Sequence, residues 1–141
     1  MSARRPHYEQ WIAKAIEDEG VAQEILDAKS FPAPACFHAQ QMAEKLLKAL
    51  LVLVGDEYPK THDLLLLAVH VQRSIPSVKR LRKDLRILNR YYVETRYPGD
   101  FPEFTFEEAV AALEAARRVN DFAHAVVTRQ RRKDSSKPRR S

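Results

Sequence analysis

The chain has 141 residues, 45% hydrophobic and 30% charged, which is the size and balance of one folded domain and excludes a fibrous or wholly disordered protein. A single cysteine cannot form an internal disulfide and no apolar run follows the basic N-terminus, so we expect a cytoplasmic protein without a signal peptide. The longest apolar run, Ala49 to Gly55, is far too short for a transmembrane helix.

Helical spacing of apolar residues predicts five helices. The apolar positions place these helices at 8–26, 37–54, 64–75, 78–92 and 106–123. No segment alternates like a strand, and short connections favour antiparallel neighbours. The sequence therefore predicts an all-α fold, an up-and-down bundle of four to five helices.

Several residues are predicted to begin or end these helices. We expect Pro32 and Pro34 in the loop before the second helix and Gly55 directly after it. Either Thr61 or Asp63 can cap the third helix.

The last two helices have their own start signals. Pro76 ends the third helix, and Ser77 can cap the fourth. Thr105 and Glu108 form a capping box that opens the fifth.

The net charge of +5 is concentrated at the C-terminal end of the chain. Residues 129–141 hold seven basic residues and one acid, which leaves residues 1–128 at −1. Because residues 129–141 include no apolar side chain, we expect residues 1–128 to form the domain and residues 129–141 a disordered basic tail. Such a tail could attract phosphate weakly or simply keep the protein soluble.

Polar residues on the second helix form the first candidate site. Gln41, Glu44, Lys45 and Lys48 fall on one face at 3.6 residues per turn. They could bind a ligand, or they could form a solvated stripe in which Glu44 and Lys48 pair at i,i+4.

A basic ridge on the fourth helix forms the second candidate site. Lys79, Lys83, Arg86 and Arg90 lie on one side, with Arg80 and Arg82 beside them. The ridge could bind phosphates, or it could be an exposed face or an interface with acids of other helices.

The fifth helix carries the third candidate site. Arg117, Asn120, Asp121 and His124 are spaced i, i+3, i+4 and i+7, which aligns them along the helix. An arginine and a histidine placed in this way could stabilise a phosphorane and move a proton during RNA cleavage without a metal. No Cys/His cluster, paired carboxylates or Gly-rich phosphate loop supports a metal site or a cofactor.

The order of four segments resembles the HEPN family of small helical domains. The segments are FHAQQMAEKLLKALL, YPKTHDLLLL, LNRYYVETRYPGD and TFEEAVAALEAARRV, and the resemblance covers about residues 7–127. It implies a bundle of four or five helices that commonly forms a homodimer. Thr61 and His62 match the Thr-His step of the family, and Arg96, Tyr97 and Pro98 match its Arg-Tyr-Pro.

The resemblance leads to a hypothesis about the ligand. A polar cleft would take a nucleotide or another phosphate-bearing ligand, with arginine supplying charge and tyrosine a stacking face. The residues that we expect to bind it are Gln41, Lys45, Lys48, His62, Arg96 and Tyr97.

Two functions follow from the resemblance and stay open at this point. One is a binding module that acts with a minimal nucleotidyltransferase, as in toxin–antitoxin pairs. The other is a metal-independent ribonuclease toxin whose catalytic residues, Arg117 or Arg118 together with His124, meet at a dimer interface. The ribonucleases of the family usually have a polar residue directly after this arginine, whereas Val119 follows Arg118 in this chain.

Overall fold

The computed structural model describes residues 7–92 and 103–136, and every regular element within these ranges is helical. The predicted all-α, up-and-down bundle is confirmed. A 3₁₀ turn at Pro76–Leu81 precedes α4, and the five α-helices are α1 (His7–Asp27), α2 (Pro32–Leu53), α3 (Leu64–Gln72), α4 (Arg82–Asn89) and α5 (Phe106–Ser136). None of these helices is long and apolar enough to cross a membrane.

Helix α2 occupies the centre of the bundle and packs against the other four α-helices. Its last two turns are apolar on nearly every side, which predicted a central position. The structure confirms this prediction, because the residues from Leu46 to Leu51 are all buried.

The ends of α2 show one wrong and one correct prediction. Pro32 and Pro34, predicted in a loop, lie in the first turn of α2, where a missing N–H costs no helical hydrogen bond. Gly55 follows the helix with a φ of 76°, a left-handed conformation in which glycine carries no steric penalty.

Side-chain caps set the starts of the later helices. Asp63, not Thr61, caps α3, since its Oδ1 accepts from the backbone N–H groups of Leu65 and Leu66 at 3.0 and 3.3 Å. Thr105 Oγ1 accepts from the Glu108 N–H at 3.0 Å, as the capping box predicts. The predicted Ser77 cap is wrong, because residues 76–81 wind as a 3₁₀ turn and α4 begins only at Arg82.

The C-terminal residues differ from prediction. Residues 129–136 continue α5, so the expected disorder is wrong for them. Their arginines, lysine and glutamine favour helix, and Arg131 ties this turn to α1 by donating to Glu9. Residues 137–141 lie outside the described ranges.

Candidate functional site

Two buried carboxylates organise the contact of α2 with its neighbours. Asp18 on α1 is 6% exposed and accepts from Lys45 Nζ at 2.6 Å. His38 Nδ1 lies 2.9 Å from the other oxygen of Asp18. Both partners of Asp18 come from α2, so this ion-pair cluster joins the first two helices.

Glu44 on α2 is the second buried carboxylate, 5% exposed. It accepts from Lys48 Nζ at 2.9 Å, and His62 Nδ1 lies 2.8 Å from its other oxygen. The i,i+4 pair of Glu44 and Lys48 is therefore present, but it is buried rather than solvated. Gln40 donates to the backbone carbonyl of His62 at 3.1 Å and thereby holds the loop before α3 against α2.

Lys48 also contacts two aromatic rings. Its Nζ lies 5.6 Å from the ring centroid of Trp11 on α1 and 5.6 Å from that of Tyr58 in the loop after α2. The two rings meet edge to face with centroids 5.5 Å apart. A buried ammonium thus fixes the relative position of an indole and a phenol.

These two rings form part of a cleft of about 500 Å³. One wall is the first two turns of α1 and the other is Tyr58. The lining residues are His7, Gln10, Trp11, Ala13, Lys14 and Tyr58. This site was not predicted from the sequence. Two signals point to it, namely the only tryptophan of the chain and the i, i+3, i+4, i+7 spacing of His7, Gln10, Trp11 and Lys14.

The predicted ligand residues are only partly brought together. Lys45 and Lys48 lie one turn apart on α2, but each one neutralises a buried carboxylate. The ring of His62 stacks on that of Tyr92 with the centroids 4.4 Å apart. Tyr92 is the last residue of the described range 7–92. Arg96 and Tyr97 lie outside the described residues.

Comparison with known proteins identifies the family. The family model of the HEPN domain matches residues 8–126, which is most of the chain. This chain belongs to the HEPN domain family. No curated protein sequence matches this HEPN domain.

Two solved structures are similar to this HEPN domain. TT1696 from Thermus thermophilus is 29% identical, with a TM-score of 0.76 over 86% of this chain and 98% of that one. ST0689, described as an archaeal HEPN homologue, is 25% identical, with a TM-score of 0.69 over 89% and 99% of the two chains.

Both arginines of the predicted ribonuclease site form ion pairs within this HEPN domain. Arg117 donates to Glu19 at 2.9 Å and to Gln23 at 2.8 Å, both on α1. Arg118 instead donates to Asp84 on α4, with its Nε 3.0 Å and its Nη2 2.8 Å from Oδ1 of the carboxylate. That hydrogen bond, together with the charge of Asp84, raises the pKa of the Arg118 guanidinium.

His124 is exposed on α5. It lines a groove of about 150 Å³ between α5 and the start of α1, together with Asn120, Thr128 and Arg131. Neither Arg117 nor Arg118 lines this groove. Within the described ranges, no group of three His, Cys, Asp or Glu side chains could hold a metal ion.

Proposed function

We propose that this HEPN domain is a nucleotide-binding module whose ligand binds in the cleft lined by Trp11 and Tyr58. The observation that carries the proposal is the pair of aromatic rings fixed by Lys48 beside an open cleft. A nucleobase has an aromatic face that stacks on such rings, and stacking of one base contributes about 1–3 kcal/mol.

Lys14 supplies a charge for the phosphate. Its ammonium lines the cleft, and its side chain is 65% exposed. Its pairing with Glu17, at 3.4 Å between two exposed groups, stabilises the protein by no more than about 1 kcal/mol. A phosphate can therefore replace Glu17 at little cost.

This proposal changes the role of two predicted ligand residues. Lys48 is held by Glu44 and contacts Trp11 and Tyr58, so it positions the wall of the cleft. Lys45 is held by Asp18, which does not line the cleft. Gln41 and His62 do not line this cleft, and Arg96 and Tyr97 lie outside the described residues, so their role in ligand binding stays a prediction of the sequence.

We also propose that a minimal nucleotidyltransferase acts with this domain and that the domain forms a homodimer. Both proposals rest on the likeness to the HEPN family. Co-expression with a minimal nucleotidyltransferase from the same genome, followed by size-exclusion chromatography with light scattering, measures the stoichiometry of each assembly. Separate elution of the two proteins would contradict the first proposal, and a monomeric mass the second.

The nucleotide proposal is tested by titration with adenosine, AMP and ATP. Because Trp11 is the only tryptophan, quenching of tryptophan fluorescence reports directly on the cleft. Calorimetry provides an independent affinity. We expect AMP and ATP to bind more tightly than adenosine, by a margin that shrinks as salt is added.

Variants of the cleft separate the roles of ring and charge. Tyr58→Leu should weaken binding of all three compounds by roughly 5- to 150-fold, corresponding to the stacking contribution. Lys14→Ala should weaken AMP and ATP but not adenosine. Lys83→Ala, an exposed lysine on α4 far along the chain from the cleft, is the control and should bind as the wild type does. Equal affinities in all variants, or no binding of any compound, would reject the site.

A further inference from the structure

The surface formed by α3, the 3₁₀ turn and α4 combines exposed apolar side chains with positive charge. On α3, Leu66 is 41% exposed and Val69 is 55% exposed. A groove of about 130 Å³ runs beside them, lined by Leu65, Ala68, Val69, Gln72, Val78, Lys79 and Arg82. We call this region the α3–α4 surface.

The exposed charges on the α3–α4 surface are positive. Between Arg73 and Arg90 the chain has seven basic residues and one acid, Asp84. Asp84 is buried and bound to Arg118, so it does not neutralise the surface. The exposed cations are Arg73, Lys79, Arg80, Arg82, Lys83, Arg86 and Arg90.

Within the described residues, the acids of the other helices do not pair with six of these cations. Glu19 binds Arg117, and Asp18 binds Lys45. Among the described residues, no carboxylate forms an ion pair with any of six exposed cations, namely Arg73, Lys79, Arg80, Arg82, Lys83 and Arg86. The interpretation of the basic ridge as an internal interface is therefore wrong for these residues.

The geometry points to the α3–α4 surface as the docking site of an acidic amphipathic helix from a protein partner. Leu66 and Val69 are spaced i,i+3, so they present an apolar strip beside the groove, into which the apolar face of a helix can pack. Lys79 and Arg82 stand at the groove, where they meet the Asp and Glu side chains that flank such an apolar face.

A protein helix fits this surface better than a nucleic acid does. Single-stranded RNA is held by aromatic rings that stack on its bases, in addition to positive charge. The groove is lined by aliphatic, amide and basic side chains, and none of its lining residues is aromatic. Exposed leucine and valine side chains gain nothing from phosphate, whereas burial by a helix removes their apolar area from water.

The proposal is independent of the nucleotide cleft and is tested by peptide display. A library of helical peptides is selected on the full chain and counter-selected on Val69→Asp, a substitution that places a charge in the apolar strip. We expect the enriched peptides to have apolar residues at i, i+3 or i+4 with Asp and Glu on either side. No enrichment after counter-selection, or enrichment of basic peptides, would overturn the proposal.

The enriched peptide is then measured by fluorescence anisotropy against matched variants. Val69→Asp and Arg82→Glu should each weaken binding by about tenfold or more, since each one removes a contact at the centre of the surface. Val21→Asp places the same charge on another exposed valine, on α1, and should leave the affinity unchanged.

A labelled oligouridine serves as the competing probe. If it binds more tightly than the peptide, and Arg82→Glu with Arg86→Glu abolishes this binding, the surface is a nucleic-acid site and the proposal is wrong. Circular dichroism of each variant verifies that the helices are intact.

Discussion

At the scale of single residues, the burial of the Glu44–Lys48 pair determines how substitutions in the centre of α2 change the stability of the protein. The side chains of both residues are at most 10% exposed, so neither charge is solvated by bulk water. Breaking such a pair leaves an uncompensated buried charge, whereas removal of both charges relieves the desolvation cost.

We therefore predict different outcomes for one and for two substitutions. Lys48→Met should lower the free energy of unfolding by up to about 3–5 kcal/mol, because Glu44 keeps only His62 as a partner. The double variant Glu44→Gln, Lys48→Met should be clearly more stable than Lys48→Met alone. Urea unfolding of the single and double variants measures the coupling, and strictly additive losses would contradict it.

Cys36 makes stability depend on pH above neutrality. Its thiol is fully buried, and burial together with the charge of Glu108 raises its pKa to about 11. The folded state therefore holds this proton more tightly than the unfolded state. The resulting stabilisation is fully present below the unfolded pKa of about 8.5 and is lost as the pH rises through about 11.

We predict that Cys36→Ala makes the alkaline loss of stability shallower. The difference should be on the order of 2 kcal/mol across this pH range. Part of the loss will persist, because burial raises the pKa of Tyr91 in the same direction. Urea unfolding of both proteins between about pH 8 and pH 11 provides the comparison, and parallel curves would show that Cys36 is not responsible.

At the scale of elements, adjacent arginines on α5 connect that helix to two different neighbours. Arg117 contacts α1 through Glu19 and Gln23, and Arg118 contacts α4 through Asp84. Asp84 is 9% exposed, whereas the side chain of Glu19, which pairs with Arg117, is 24% exposed. The two contacts therefore differ in how costly they are to break.

We predict that Arg118→Ala destabilises the protein more than Arg117→Ala does. The first leaves Asp84 buried without its partner and should cost about 1–3 kcal/mol. The second breaks a pair whose carboxylate, Glu19, is more exposed than Asp84, and should cost no more than about 1 kcal/mol. Thermal or urea unfolding ranks the two variants, and the reverse order would mean that the contact with α1 is the stronger one.

At the scale of the whole molecule, ion pairs between helices hold the two arginines of the ribonuclease alternative. His124 faces a groove near the start of α1, while Arg117 and Arg118 are each held by a carboxylate of their own chain. Catalysis would require an arginine to leave its carboxylate and approach His124 or the His124 of a second copy.

We predict that the purified protein leaves end-labelled RNA intact in EDTA, and that His124→Ala behaves in the same way. Gel analysis over a time course is the measurement, with a metal-independent ribonuclease as the positive control. Cleavage that survives EDTA and is lost in His124→Ala would reverse this conclusion and establish the ribonuclease function.

The helices were predictable because their signals are local. Periodic apolar residues, the Thr105 cap and the glycine at position 55 act within a few residues of themselves, and the structure confirms each of them. The errors at Pro32 and Ser77 also have local causes, since a proline is tolerated in the first turn of a helix and a 3₁₀ turn can replace an α-helical start.

The candidate site was predictable only in part, because its contacts join residues far apart in the chain. The pattern on α2 predicted the pairing of Glu44 with Lys48, but it did not reveal that this pair is buried or that Asp18 neutralises Lys45. Nor did it bring Trp11 next to Tyr58, which lies 47 positions away. Arg96 and Tyr97 stay a prediction of the sequence alone.

The sequence by itself determined the all-α architecture, the central place of α2 and the membership of the HEPN family, because periodicity and local motifs encode these features. Only the tertiary structure decided which charges remain available to a ligand or a partner. Ion pairing and burial depend on distances between helices, so the lysines of α2 became internal while the cations of the α3–α4 surface stayed open to solvent.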